Sequence, residues 1–147
     1  MKNDRSLGDR LRIRETIERY FFGVDSKDRE VLVSCFSSDA EAEYHCTTSE
    51  HKIVVGGERI GNEIFASCSR FTCSTHCIAN LTLEIAGDSA EANTYAIANV
   101  VFGGNMPIRG LRYQDRLSRT PQGWRIDRRR HTPMWQTEAA ALPPKLF

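Results

Sequence analysis

The stretch TCSTHCIANLTLEIAGDSAEANTYAIANVVF, residues 72–102, decides the fold. Residues 72–85 and 89–102 each alternate in polarity over a strand's length, and Gly87-Asp88 between them is a hairpin turn signal. Residues 108–119 and 123–134 repeat the pattern. Gly103-Gly104-Asn105 and Pro121-Gln122-Gly123 divide them. Four long strands joined by short turns make an antiparallel meander, and a sheet of that length curls.

The chain before residue 72 is different in kind. Residues 1–8 are polar and are expected to be a flexible N-terminus. A helix is expected over residues 9–24, with Asp9 as N-cap and Ile13, Ile17, Tyr20, Phe21 and Val24 as its apolar stripe. A short helix comes next over residues 29–36. Two short strands (40–46 and 52–55) succeed it, then Gly56-Gly57 and a third helix on Ile60, Ile64 and Phe65. Three helices followed by a long antiparallel sheet is an α+β pattern. The expected architecture is a cone, a curled antiparallel sheet closed by the N-terminal helices. One domain spans residues 9–135. Residues 136–147, with Pro143-Pro144, form a C-terminal tail that cannot be a central strand.

Composition excludes several classes. A chain of 147 residues with 40% hydrophobic and 27% charged residues is an ordinary soluble domain. Its net charge of +1 provides no field for nucleic acid or a membrane surface. No run reaches membrane-spanning length, and the first residues lack the apolar core of a signal peptide. The five cysteines are odd in number and irregularly spaced, which points to free thiols and a cytoplasmic setting. Cys73, His76 and Cys77 are close in sequence. In a strand, however, His76 faces away from both cysteines, and no second half-site has ligand spacing, so no metal site is expected.

Asp25 is the first candidate for chemistry. It falls in the last helical turn, where the dipole disfavours an anion, so its carboxylate needs a partner. Capping of the next helix, with Ser26 and Asp28, is the plainer alternative. His76 can take and return a proton near neutral pH. On strict alternation it lies opposite the apolar row Cys77, Ala79, Leu81, Leu83 and Ile85. Arg129 is likewise opposite Trp124 and Ile126, so His76 and Arg129 are expected to share a face. His131 has the same parity as Arg129.

A helix ending in Tyr-x4-Asp (Tyr20, Asp25) begins a set of motifs that continues with Gly56-Gly57 before the third helix. Thr75-His76 at the head of a long strand is next, and then Tyr113-Gln114-Asp115-Arg116-Leu117 ahead of Gly123-Trp124-Arg125-Ile126. Together these resemble the SnoaL-like branch of the nuclear-transport-factor-2-like superfamily over residues 9–135. The pattern is similar to scytalone dehydratase, hexachlorocyclohexane dehydrochlorinase and bile acid 7α-dehydratase. The resemblance implies a cofactor-independent lyase without a metal, which eliminates water (or a hydrogen halide) from a small hydrophobic cyclic molecule. His76 would be the general base and Asp25 its orienting partner. Tyr20 and Arg129 would assist the leaving group, and Phe21, Phe22, Phe36, Phe65 and Val101 would supply apolar walls. Isomerisation or cyclisation of a polyketide- or steroid-like molecule is the alternative, and non-catalytic ligand binding is a third reading. The resemblance also implies a homotrimer. On the alternation above, Leu81, Leu83, Trp124 and Ile126 would form the apolar outer face that it buries.

Overall fold

Ile13, Ile17, Tyr20, Phe21 and Val24 are all buried along one stripe of the first helix, α1 (Lys2–Ser26). The computed structural model describes residues 2–45 and 51–144. The expected turn through Cys46 and the last three residues of the tail therefore lie outside the described residues. Helix α1 starts at Lys2, so Asp9 is not its N-cap. Asp9 is buried mid-helix, where both Arg119 terminal nitrogens donate to its carboxylate at 2.8 and 2.6 Å. A long-range ion pair has taken the place of the local cap.

The end of α1 leads directly into the second helix. Lys27 is left-handed (φ 55°); its N–H reaches Val24 O and the Asp28 N–H reaches Gly23 O. This pair of bonds satisfies the last carbonyls. The Asp28 carboxylate then accepts the Val31 N–H at 3.0 Å and caps α2 (Arg29–Ser34). Capping is thus done by Asp28, and Asp25 is free to face the sheet. Phe36, expected to end the second helix, instead opens β1.

The chain then forms six strands: β1 (Phe36–His45), β2 (His51–Val55), β3 (Cys73–Ala86), β4 (Ser89–Val101), β5 (Asn105–Thr120) and β6 (Gly123–Ala140). Helix α3 (Gly57–Cys68) lies between β2 and β3. The sheet order is β2-β1-β6-β5-β4-β3. Strands β3 to β6 are the antiparallel meander, but β1 joins β6 in parallel, so the sheet is mixed. It curls without closing, and the helices pack in its concave side over a core that includes Trp124, Ile126, Leu117, Leu32 and Ile60. Residues 136–140, expected in the tail, continue β6 and pair with β5. Among the described residues no helix is long and apolar enough to cross a membrane.

Two β-bulges overturn the alternation argument. In β3, Ile78 pairs with Ala96 but Asn80 pairs with Tyr95, so Ala79 is an extra residue. In β6, Arg128 pairs with Arg116 but Ile126 pairs with Leu117, so Asp127 is extra. Each insertion shifts the face by one residue. Leu81, Leu83 and Ile85 therefore lie on the same face as His76, packed against the core. Trp124 and Ile126 are fully buried on the same face as Arg129. The apolar outer face expected from Leu81, Leu83, Trp124 and Ile126 does not exist, and the expected trimer loses that ground.

Gly61 sets the distance between α2 and α3. A Cβ at this position would lie 2.9 Å from the Val33 Cα and N, a backbone contact that cannot move aside cheaply. Gly61→Ala gains helix propensity of about 1 kcal/mol but overpacks this contact by about 1–3 kcal/mol. A net loss of stability is expected in urea unfolding, and an unchanged or higher midpoint would contradict this packing.

Candidate active site

Asp25, at the end of α1, faces the head of β3. Its carboxylate receives three hydrogen bonds from two residues of that strand. Ser74 Oγ donates to Oδ1 at 2.7 Å, the His76 backbone N–H donates to Oδ2 at 2.8 Å, and His76 Nδ1 lies 2.6 Å from Oδ1. These contacts answer the unfavourable placing of an anion at a helix C-terminus. Ser74 and His76 are two apart in a strand, so both point at the same carboxylate. A carboxylate accepts, so Nδ1 carries the imidazole proton and Nε2 is left as the basic nitrogen. The Phe21 ring stacks on the imidazole with centroids 5.6 Å apart and fixes its plane.

His76 opens onto a cavity of about 470 Å³. The concave face of the sheet lines it with Tyr44, Val54, Ala98, Val100, Leu111, Tyr113, His131 and Pro133. Tyr20 and Val24 of α1, Ile64, Ser67 and Cys68 of α3 and Phe71 add to the wall, as do His45 and the Lys52–Glu63 ion pair. Arg109 and Gln136, joined by a 2.8 Å hydrogen bond, also line it. A larger cleft of about 670 Å³ lies between the start of β1 and the β5–β6 turn, but it is polar and contains neither Asp25 nor His76.

The other expected site residues are distributed unevenly. Tyr20 lines the cavity. Phe21 is behind His76 and supports it. Phe22 is 65% exposed on the outer side of α1, since it is one residue out of step with the buried stripe. Phe36 is in the core against Tyr20, with centroids 6.1 Å apart. Phe65 packs against the core, while its neighbour Ile64 faces the cavity. Val101 points to the other face of β4, and Val100 takes the wall position.

Arg129 is not on the cavity wall. It is fully buried and makes a two-pronged ion pair with Asp115, at 2.7 and 2.6 Å. Its guanidinium lies 4.0 Å from the centre of the Tyr20 ring and 4.8 Å from that of Tyr113, so these two rings roof it. Burial alone would weaken its hold on a proton, but Asp115 more than reverses that and keeps it charged. Arg129 therefore supports the two tyrosines from beneath and does not reach a ligand directly.

Alternation alone did not reveal three groups. Ser74 shares the Asp25 carboxylate. Tyr44 lines the cavity with its hydroxyl buried and without a hydrogen-bond partner among the described residues. Its position two residues after Ala42 and four after Ala40, on the inner face of β1, was the available signal. Tyr113 lies between Phe21 and His131, with centroids 5.3 and 4.9 Å away. Burial raises the hydroxyl pKa of Tyr20, Tyr44 and Tyr113, so all three are neutral donors near pH 7.

His131 also reaches the cavity, with Nδ1 buried and unpaired among the described residues. Burial first, and then the nearby Arg129 and Arg109, push its pKa down to about 4. An unfolded histidine titrates near pH 6.5, so the unfolded chain binds the proton first as the pH falls. The stability carried by neutral His131 is therefore complete above about pH 6.5 and lost progressively toward pH 4. Urea midpoints measured across that window should fall less in His131→Gln than in the parent; equal slopes would contradict a buried neutral imidazole.

The fold and its sequence pattern agree with a match to a SnoaL-like domain over residues 5–130. The chain belongs to the SnoaL-like family. This chain is similar to an uncharacterized protein of Mycobacterium tuberculosis (strain H37Rv), 28% identical over 138 residues, which covers 88% of each chain. Among solved structures it is similar to a hexachlorocyclohexane dehydrochlorinase from Novosphingobium barchaimii. That likeness has a TM-score of 0.82 and 20% identity and covers 98% of this chain and 100% of the other. A scytalone-dehydratase-like protein of Novosphingobium aromaticivorans matches with a TM-score of 0.82 and 17% identity, over 95% and 93% of the two chains. At these identities the structural likenesses carry the fold.

Proposed function

We propose that this SnoaL-like protein is a lyase that eliminates water from a cyclic, largely apolar substrate. The observation that supports this most is the His76 imidazole held by Asp25 at 2.6 Å on the wall of a mainly apolar cavity with a few polar side chains. Nε2 of His76 would remove a proton from a substrate carbon. The electrons of that C–H bond form the new double bond, and the adjacent C–O bond breaks. The imidazolium, stabilised by Asp25, then returns its proton to the departing oxygen and water leaves. One residue thus serves as base and then acid, and the proton count closes without any other reactant.

The leaving oxygen needs a donor as charge develops on it. Tyr20 and Tyr44 are neutral and on the cavity wall with Tyr20 and the Tyr44 hydroxyl buried, and the Arg129 guanidinium beneath Tyr20 favours negative character on the Tyr20 hydroxyl. Tyr44 and His131 each have a buried polar atom without a partner among the described residues, which an oxygen-bearing ring would satisfy. Arg129 keeps a part in this proposal through Tyr20 only. The structural likeness to a hexachlorocyclohexane dehydrochlorinase is compatible with elimination of a hydrogen halide by the same steps.

A screen of cyclic alcohols bearing a carbonyl next to the carbon that loses its proton tests the reading. Appearance of the conjugated product absorbance with the parent protein, and its absence with His76→Ala, is the expected result. Equal rates for the two proteins would sink the proposal.

A further inference from the structure

Away from the Asp25–His76 pair, Glu43, His45 and His51 meet at the end of the β1–β2 hairpin. The register places His45 opposite His51, and Glu43 is two residues before His45, so all three side chains leave the sheet on one face. One ligand atom from each residue lies within 4.8 Å of those of the other two. The two imidazoles are 4.2 Å apart at their centres. His45 Nε2 is shielded from solvent and lies 2.8 Å from Glu43 Oε1, without the alignment of a hydrogen bond. Arg130, paired with Glu43 in the register of β1 and β6, donates to the other carboxylate oxygen at 3.0 Å. The carboxylate is thus held from behind, with one oxygen turned toward the imidazoles. Such outer support is what orients ligands in metal centres.

We propose that Glu43, His45 and His51 bind a divalent transition-metal ion. Two imidazole nitrogens and one carboxylate oxygen suit zinc and its neighbours, and three protein ligands leave a position for water. Calcium or magnesium would require more oxygen donors than this trio offers. For metal–ligand distances of about 2.1 Å the ligand atoms sit roughly 3.4 Å apart, so the His51 nitrogen needs to draw in while the 2.8 Å His45–Glu43 contact opens slightly. Side-chain rotation supplies that movement, since His51 is exposed and the other two are partly so. His45 also lines the cavity, so the ion would tie β1 to β2 at the cavity's edge. His76 lines the same cavity but is not one of the three ligands, and the ion takes no step in the proposed elimination. The competing explanation is a simple ion pair between Glu43 and protonated His45, which binds no metal.

Titration of tag-free protein with zinc chloride by calorimetry, slightly above neutral pH, separates the two. One saturable equivalent per chain is expected. His51→Ala and Glu43→Gln should each weaken binding about tenfold or more. His51 is exposed, so His51→Ala does not threaten the fold. His76→Ala and the paired change Cys73→Ser, Cys77→Ser should leave the affinity unchanged. No saturable binding, affinity retained in His51→Ala, or affinity lost in the cysteine variant would each overturn the proposal.

Discussion

The His76→Ala protein is expected to lose turnover by about a hundredfold to ten-thousandfold while binding substrate almost as well as the parent. The reason is that the imidazole acts on the reacting proton, whereas affinity comes from the apolar wall, which the substitution leaves alone. In free energy this is roughly 3–5 kcal/mol of barrier. Asp25→Asn should fall by a similar factor. The amide introduced by that change can present its NH₂ to the imidazole and favour the wrong tautomer. It also meets two further donors, Ser74 Oγ and the His76 N–H, that the carboxylate had satisfied. Tyr20→Phe and Tyr44→Phe keep their rings and remove only a donor, so smaller losses of roughly ten- to a thousandfold are expected. Single-turnover rates together with substrate affinities by calorimetry make the check. Native turnover in His76→Ala, or a loss confined to affinity, would refute the mechanism.

The largest effect on stability is expected at Arg129 and Asp115. Both side chains are fully shielded from solvent, and each is the other's charge partner. Arg129→Met leaves a buried carboxylate without its cation and should cost about 3–5 kcal/mol. Arg129→Lys should recover little of that, because an ammonium cannot make the two parallel bonds or lie flat under Tyr20. Replacing both members, Arg129→Met with Asp115→Leu, should restore much of the stability, since the penalty comes from the orphaned charge. Urea unfolding of the two single variants and the double variant measures the coupling. Single losses below about 1 kcal/mol would show that the pair is not sealed from water as described.

The spacing of residues along the chain determined a good deal of this protein. The stripe from Ile13 to Val24, the Gly56-Gly57 break and the turns after residues 86 and 120 all obey local rules, and the structure has each of them. The need of Asp25 for a donor was legible too, because an anion at the end of a helix is costly without one. Family resemblance pointed to His76 as that donor, and the 2.6 Å contact joins the two. Which face each strand presents was settled only by tertiary structure. Alternation carries that information only while the ladder is regular, and single extra residues at Ala79 and Asp127 interrupt it without any local signature. For this reason His76 and Leu81, and Arg129 and Ile126, fall on the same side although their numbers differ by an odd count. The sealing of Arg129 beneath two tyrosines has a related cause. Burial of a charge depends on partners far along the chain, here Asp115 on the neighbouring strand, and such a partner exists only once the strands have paired.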